Sequence, residues 1–353
     1  MIIYLINIFF ILLFAIPFLI SDRTDKGKKI YCSIVALQWI LLSGLRDWSV
    51  GADTYQYFAT FEKIKYTSWR SILSDNWEYI FHGANVKDPG YMLFEKIFQI
   101  FSQDYQVFLI CIAVIFTVPM AVWIYKNSSM PCLSFIIYST LFYYFFAVTG
   151  QRQTLATALI VFVGYKYIKD KKFLKFAFIA FIAFMLHKSS LVFIPFYFLS
   201  HKRITKPYFA AMSFITLVIA LLGKKLYGPV ALFMGYSEEQ VDYAGGGAET
   251  YALILTLVCV AVLVLYPWIR QNRIDADLLC NVTFLTLVSS LLVFQQQGFM
   301  RVQQYYSLFI MITIPEALLI IKKRDRSIVY AAGVIILVAH LISANPYYKF
   351  FFM

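Results

Sequence analysis

The sequence predicts an all-α fold, a polytopic transmembrane helical bundle with about ten full spans and one helical hairpin. Three observations carry that expectation. The 353 residues are 61% hydrophobic and only 14% charged, whereas soluble domains are about 25% charged. Mean hydropathy is +0.71. Apolar runs recur along the whole chain, each near the length of about 20 residues that crosses a hydrocarbon core.

The net charge of +12 does not point to nucleic acid, because the basic residues are scattered among short connections, where they set topology. Cys32, Cys111, Cys132, Cys259 and Cys280 lie in or beside apolar runs without CxxC or Cys/His spacing. Neither a disulfide framework nor a metal site is indicated. No P-loop, HExxH or Ser/His/Asp order occurs, so nothing supports an ATP-driven machine or a metalloprotease.

Taken in order, the expected spans are 2–20, 30–45, 104–125, 132–149, 152–168, 207–223, 251–269, 277–296, 302–321 and 327–344. The first lacks a preceding basic region and a following small-residue cleavage site, so it is read as a retained helix. Lys26, Lys28 and Lys29 with Arg23, the five lysines of 166–175, and Lys322, Lys323, Arg324 and Arg326 mark cytoplasmic connections. Both termini then fall outside. Segment 173–200 is flanked by basic residues on both sides, and its two apolar arms are each short for a crossing. It is expected to enter and return, with its tip at 187-HKSS-190. The chain reads as one integral membrane domain, 1–353, with long outer segments at 46–103 and 224–250. Within the first, 88–101 is expected to lie as an amphipathic helix along the interface. In the second, Glu238, Glu239, Asp242 and Gly245 to Gly247 suggest a lid.

This topology gathers the unusual polar residues on one face. Arg46, Asp47 and Asp53 follow the second span, Arg152 opens the fifth, His187 and Lys188 sit at the hairpin tip, and Arg301 opens the ninth. A cation at the positive end of a helix is unfavourable, and an anion such as phosphate relieves it. Arg46, Arg152 and Arg301, with Lys188, are candidate diphosphate ligands, although each arginine also suits an interfacial anchor. His187 is a candidate base for a sugar hydroxyl, with Asp53 as the competitor. Asp47, Trp48, Tyr55 and Tyr57 are candidate sugar contacts, against turn capping for the aspartate and interfacial anchoring for the aromatics.

The segment 44-GLRDWSVGADTYQY-57 resembles the opening signature of the EpsG-like, Wzy-type family of membrane polysaccharide polymerases. Further similar segments follow in order: 88-DPGYMLF-94, 151-QRQTLATALIVFVGYKYI-168, 184-FMLHKSSLVFIPFYF-198 and 301-RVQQYYSLFIMITIP-315. Ala52 departs from the small polar residue expected there. The resemblance implies an enzyme, a metal-independent glycosyltransferase without cofactor, GT-C-like in the broad sense. Such an enzyme would transfer a glycan from undecaprenyl diphosphate onto the non-reducing end of another lipid-linked repeat unit. It implies a bacterial inner membrane, a site facing the periplasm or exterior, membrane lipid and lipid-linked oligosaccharide as partners, and a chain-length regulator protein. The residue pattern alone leaves open a glycosyltransferase using a polyprenyl-phosphate sugar, a flippase or transporter for lipid-linked oligosaccharide, and a membrane acyltransferase. Charge gathered at one face, rather than at the midplane, favours chemistry over transport.

Overall fold

The computed structural model describes residues 1–20, 24–84, 86–233 and 248–353. Among them the secondary structure is helical, apart from one isolated antiparallel bridge between Arg46 and Phe350. Two compact units form: residues 1–190 with 331–353, and residues 191–330.

The first unit opens with α1 (Ile2–Ile20) and α2 (Asp25–Gly44). Thr24 starts α2 by accepting from the Gly27 amide, the side-chain cap that satisfies an orphan donor of the first turn. The segment after α2 then holds three helices, α3 (Thr54–Tyr66), α4 (Trp69–Phe81) and α5 (Pro89–Phe98). Ser68 caps α4 and Asp104 caps α6 (Tyr105–Asn127). Next comes α7 (Pro131–Ile137), which continues through wider π turns at Tyr138–Phe142 and Tyr144–Thr149. A second such run joins α8 (Gln151–Thr157) to α9 (Gly164–Lys169) through Ala158–Val163. The hydroxyls of Ser139 and Thr140 donate to the Phe135 and Ile136 carbonyls and so compete with the regular helical ladder where it widens. Helix α10 (Phe173–Leu186) completes this stretch.

The core of the first unit is aromatic. Phe61 stacks on Phe108 with ring centroids 4.9 Å apart, and Phe98 and Tyr105 close around the same pair. The C-terminal segment returns to the end of α2: the Asp47 amide donates to the Lys349 carbonyl, the Phe351 amide to Leu45, and the Tyr348 hydroxyl to Leu42. The Met1 amine donates to the Pro346 carbonyl. Met1 and the C-terminal segment are thus both held within the first unit, the latter beside Arg46.

In the second unit, α11 (Ile194–Leu199), α12 (Lys206–Phe233), α13 (Glu249–Asn272) and α14 (Ala276–Val293) precede the broken pair α15 (Met300–Ser307) and α16 (Ile310–Ile320). Val262, Tyr266, Cys280 and Phe284 form its packed centre. The last helix, α17, is Lys323–Ala344.

Every expected span coincides with helix, but not all as single rods. Among the described residues, five helices are long and apolar enough to cross a membrane: α6, the Lys206–Gly223 part of α12, α13, α14 and α17. Among the remaining expected spans, 132–149, 152–168 and 302–321 are assembled from shorter pieces. Helix α5 buries Pro89, Tyr91 and Glu95 inside the unit and leaves Ile97 exposed. Helix α4 carries a further exposed apolar face, where Trp69, Leu73, Trp77 and Phe81 repeat at four-residue spacing. The segment expected as a loop at 224–250 begins as helix through Phe233. The acidic stretch assigned as a lid lies outside the described residues.

Candidate functional site

The site is built where α5 begins and α10 ends. Segment 88-DPG-90 divides its work by residue type. Asp88 adopts a left-handed backbone, φ 51° and ψ 57°, a region in which Asp is better tolerated than most residues. Pro89 fixes the first helical position. Gly90 allows contact: a Cβ there would stand 2.6 Å from the Met185 carbonyl oxygen. The start of α5 thus reaches the backbone of the last turn of α10, and His187 follows in extended geometry, φ −161°.

Asp88 is the hub. Its Oδ2 lies 2.9 Å from His187 Nδ1 and 3.0 Å from Arg152 Nη1, and its Oδ1 accepts from the Lys188 amide at 3.1 Å. Both Asp88 and His187 are buried. Burial by itself raises the Asp88 carboxyl. The His187 ring beside it, the Arg152 guanidinium and the Lys188 N–H outweigh that and hold it below its ordinary value. With Asp88 ionised, Nδ1 of His187 carries a proton toward it.

Arg152 also rests over the Tyr57 ring, 5.4 Å from its centroid, while its Nε is buried without a hydrogen-bond partner. The preceding residue, Gln151, is held on both sides: its Oε1 accepts from the Tyr91 hydroxyl at 2.9 Å and its Nε2 donates to the Tyr105 hydroxyl at 2.7 Å. The unfavourable charge of a cation at a helix start is thus met by the Asp88 carboxylate. The sequence reading expected a ligand to supply that counter-charge.

The structure brings Arg152, His187, Lys188 and Tyr57 together around Asp88. Arg46 is 2% exposed, not open to water as expected; its Nη1 donates to the Ser43 carbonyl at 2.5 Å and its Nε has no partner. Tyr91 is an electrostatic neighbour of both Arg46 and Arg152, so the two guanidiniums act on one tyrosine. Asp53 stands exposed before α3 and makes no side-chain cap. Asp47 closes its own turn onto the Ser49 amide at 2.9 Å. Trp48 is exposed and stacks on Phe58, 5.1 Å between centroids, with exposed Tyr55 beside it. Tyr57, expected as a sugar platform, is buried and carries the guanidinium on its ring. Arg301 belongs to α15 of the second unit and is half-buried.

Sequence reasoning missed Asp88, Gln151, Tyr91 and Tyr105 as parts of one network. One signal was present: Asp88, Tyr91, Glu95 and Gln99 lie at helical spacing on an otherwise apolar segment.

The family model described as EpsG family matches residues 29–350. That range contains every residue of the network. The chain belongs to the EpsG family. Membership makes it a membrane-embedded, glycosyltransferase-type polymerase acting on lipid-linked substrates. No curated protein and no solved structure matches the chain. In this EpsG-family chain, the residues of the Arg-Gln, Asp-Pro-Gly and His-Lys-Ser-Ser segments converge on one buried carboxylate.

Proposed function

We propose that this EpsG-family protein is a polysaccharide polymerase of the bacterial inner membrane, with its site facing outward. It transfers a growing glycan from undecaprenyl diphosphate to the non-reducing end of a second lipid-linked repeat unit. The acceptor hydroxyl attacks the anomeric carbon, the bond from that carbon to the diphosphate oxygen breaks, and the hydroxyl proton passes to His187 Nε2. Asp88 orients the ring through Nδ1 and stabilises its charged form. Arg152, with Arg46, stabilises charge developing on the departing diphosphate. Lys188, whose amide donates to Asp88, is a further candidate cation for the diphosphate. Trp48 and Tyr55, both exposed, offer stacking faces to sugar rings. Asp53 remains the competing base. Membrane lipid surrounds the site, and a chain-length regulator protein is the expected partner. As written, the reaction draws on neither a nucleotide sugar nor a metal.

The observation that supports this reading is the buried Asp88–His187–Arg152 cluster, in which the Nε–H of Arg152 lacks a partner. An anion is the group such a donor accommodates.

The test is a gel profile of surface glycans from cells lacking the gene and from cells carrying Arg152→Ala. Both are expected to lose the ladder while retaining a single-repeat band, with the variant still inserted in the membrane at normal level. The expected loss is roughly 100-fold or more in chain growth. Normal polymer length in Arg152→Ala overturns the diphosphate role. Loss of every repeat-bearing band in the deletion indicates a transporter or an enzyme that builds the repeat.

A further inference from the structure

Glu95 is a buried ionisable group with no part in the chemistry above. It lies on α5 seven residues beyond Asp88, on the line that also contains Tyr91 and Gln99. Its exposure is 0%, and neither carboxyl oxygen has a well-formed hydrogen bond. The Tyr91 hydroxyl stands beside it, and Arg152 is its other electrostatic neighbour. A bare carboxylate in such surroundings is costly. Burial pushes the carboxyl up to about 8, so it is mostly neutral at neutral pH, although the Tyr91 hydroxyl and Arg152 pull the other way.

Among the described residues, Arg152 is the one cation that acts on Glu95. Helix α3 presents Tyr57 and α6 presents Tyr105, both electrostatic neighbours of Tyr91. Helix α4 presents Tyr79, which acts on Asp88, and the end of α10 presents His187, which is bound to Asp88. Arg152 of α8 is paired with the same aspartate. Arg46 acts on Tyr91 and Tyr105.

Hydrogen-bond inventory then decides direction. Tyr91 has one hydroxyl proton, and it is donated to Gln151 Oε1. The Tyr91 oxygen can therefore accept but not donate again. A neutral Glu95 can donate to it, whereas an ionised Glu95 can only accept and competes with Gln151 for the same proton. We infer that neutral Glu95 is a positioning residue, fixing the donor order Tyr91 to Gln151 to Tyr105 that holds the helix start bearing Arg152. Ionisation draws the Tyr91 hydroxyl away and leaves a buried amide oxygen of Gln151 unsatisfied, next to the guanidinium on which the site depends. This deepens the proposed function and rests on it for the activity readout alone.

The test uses the full chain in lipid nanodiscs, with two readouts. Infrared difference spectra between about pH 6 and about pH 9 are expected to show a neutral carboxyl C=O band. That band should vanish with a midpoint near 8 and should be absent in Glu95→Gln. Polymerisation of a lipid-linked repeat unit should fall on the alkaline side with the same midpoint in the wild type. Glu95→Gln, which keeps a neutral donor, should retain activity at neutral pH and lose the alkaline limb. Glu95→Leu should lose activity at every pH. A band that titrates in the ordinary carboxyl range, or none removed by Glu95→Gln, overturns the inference whatever the activity. So does an unchanged alkaline limb in Glu95→Gln, or an inactive Glu95→Gln that remains monodisperse on extraction. If the wild type makes no polymer while the band titrates as expected, the proposed function falls and the neutral Glu95 stands.

Discussion

Two half-buried arginines, one in each unit, meet carboxylates in different ways. Arg273 in the second unit is matched twice: its Nε lies 2.5 Å from Asp275 and its Nη1 2.6 Å from Glu316. Arg152 in the first unit meets one carboxylate oxygen at 3.0 Å, shares it with His187, and keeps a buried Nε without a partner. The Arg273 cluster ties the connection before α14 to α16. The Arg152 cluster has donor capacity left over. A fully matched arginine holds helices together, whereas an incompletely matched one next to a histidine is arranged for an anion that comes and goes.

That contrast can be broken by substitution. Arg152→Ala is the largest expected effect and acts on chain growth, while membrane level and thermal stability stay near the wild type because His187 still pairs with Asp88. Arg273→Ala should do the reverse. Leaving Asp275 and Glu316 without their cation should cost roughly 3 kcal/mol of stability, seen as a lower unfolding temperature in detergent, with glycan length per surviving molecule unchanged. If Arg273→Ala shortens chains without destabilising the protein, the division between the two arginines is wrong.

Gly90→Ala sharpens the same comparison at smaller amplitude. Its Cβ meets the Met185 backbone, so α5 must withdraw, at about 1–3 kcal/mol for overpacking. Because Asp88 moves with it, chain growth should fall more than stability alone explains. Equal activity at equal protein level would show that the Asp88 geometry is unimportant.

The smallest effect is a pH dependence. The folded Asp88 carboxyl lies below its ordinary value, which is about 3.9 for an unfolded chain. Its contribution to stability is therefore complete above the unfolded value and is lost as pH falls through the lower folded one. The difference in unfolding temperature between wild type and Asp88→Asn should narrow only on acidification below about pH 4. A gap that stays constant down to about pH 3 would mean that the aspartate contributes through shape and not charge.

The fold was legible where the constraint is local. Hydrocarbon thickness and the need to satisfy every backbone group act on consecutive residues, so the spans could be read directly, and so could the break at His187. The interruptions at Ser139 and Thr140 were less visible, because a hydroxyl donating back to its own helix leaves composition unchanged. In segment 46–103 and beyond it, the close approach of Gly90 to Met185 was not visible either, because it joins distant parts of the chain.

The sequence by itself determined a polytopic helical membrane protein, the order of its EpsG-family segments, and the candidacy of Arg152 and His187. Tertiary structure alone decided what those residues meet. Asp88 and His187 stand 99 residues apart in the chain, and no periodicity in a single sequence links them. The same holds for the burial of Arg46, the use of the Tyr57 face by a guanidinium, and the neutral Glu95 behind Tyr91. Partnership and desolvation belong to space and not to position along the chain. Those two quantities set whether a charged group anchors, binds or holds a proton.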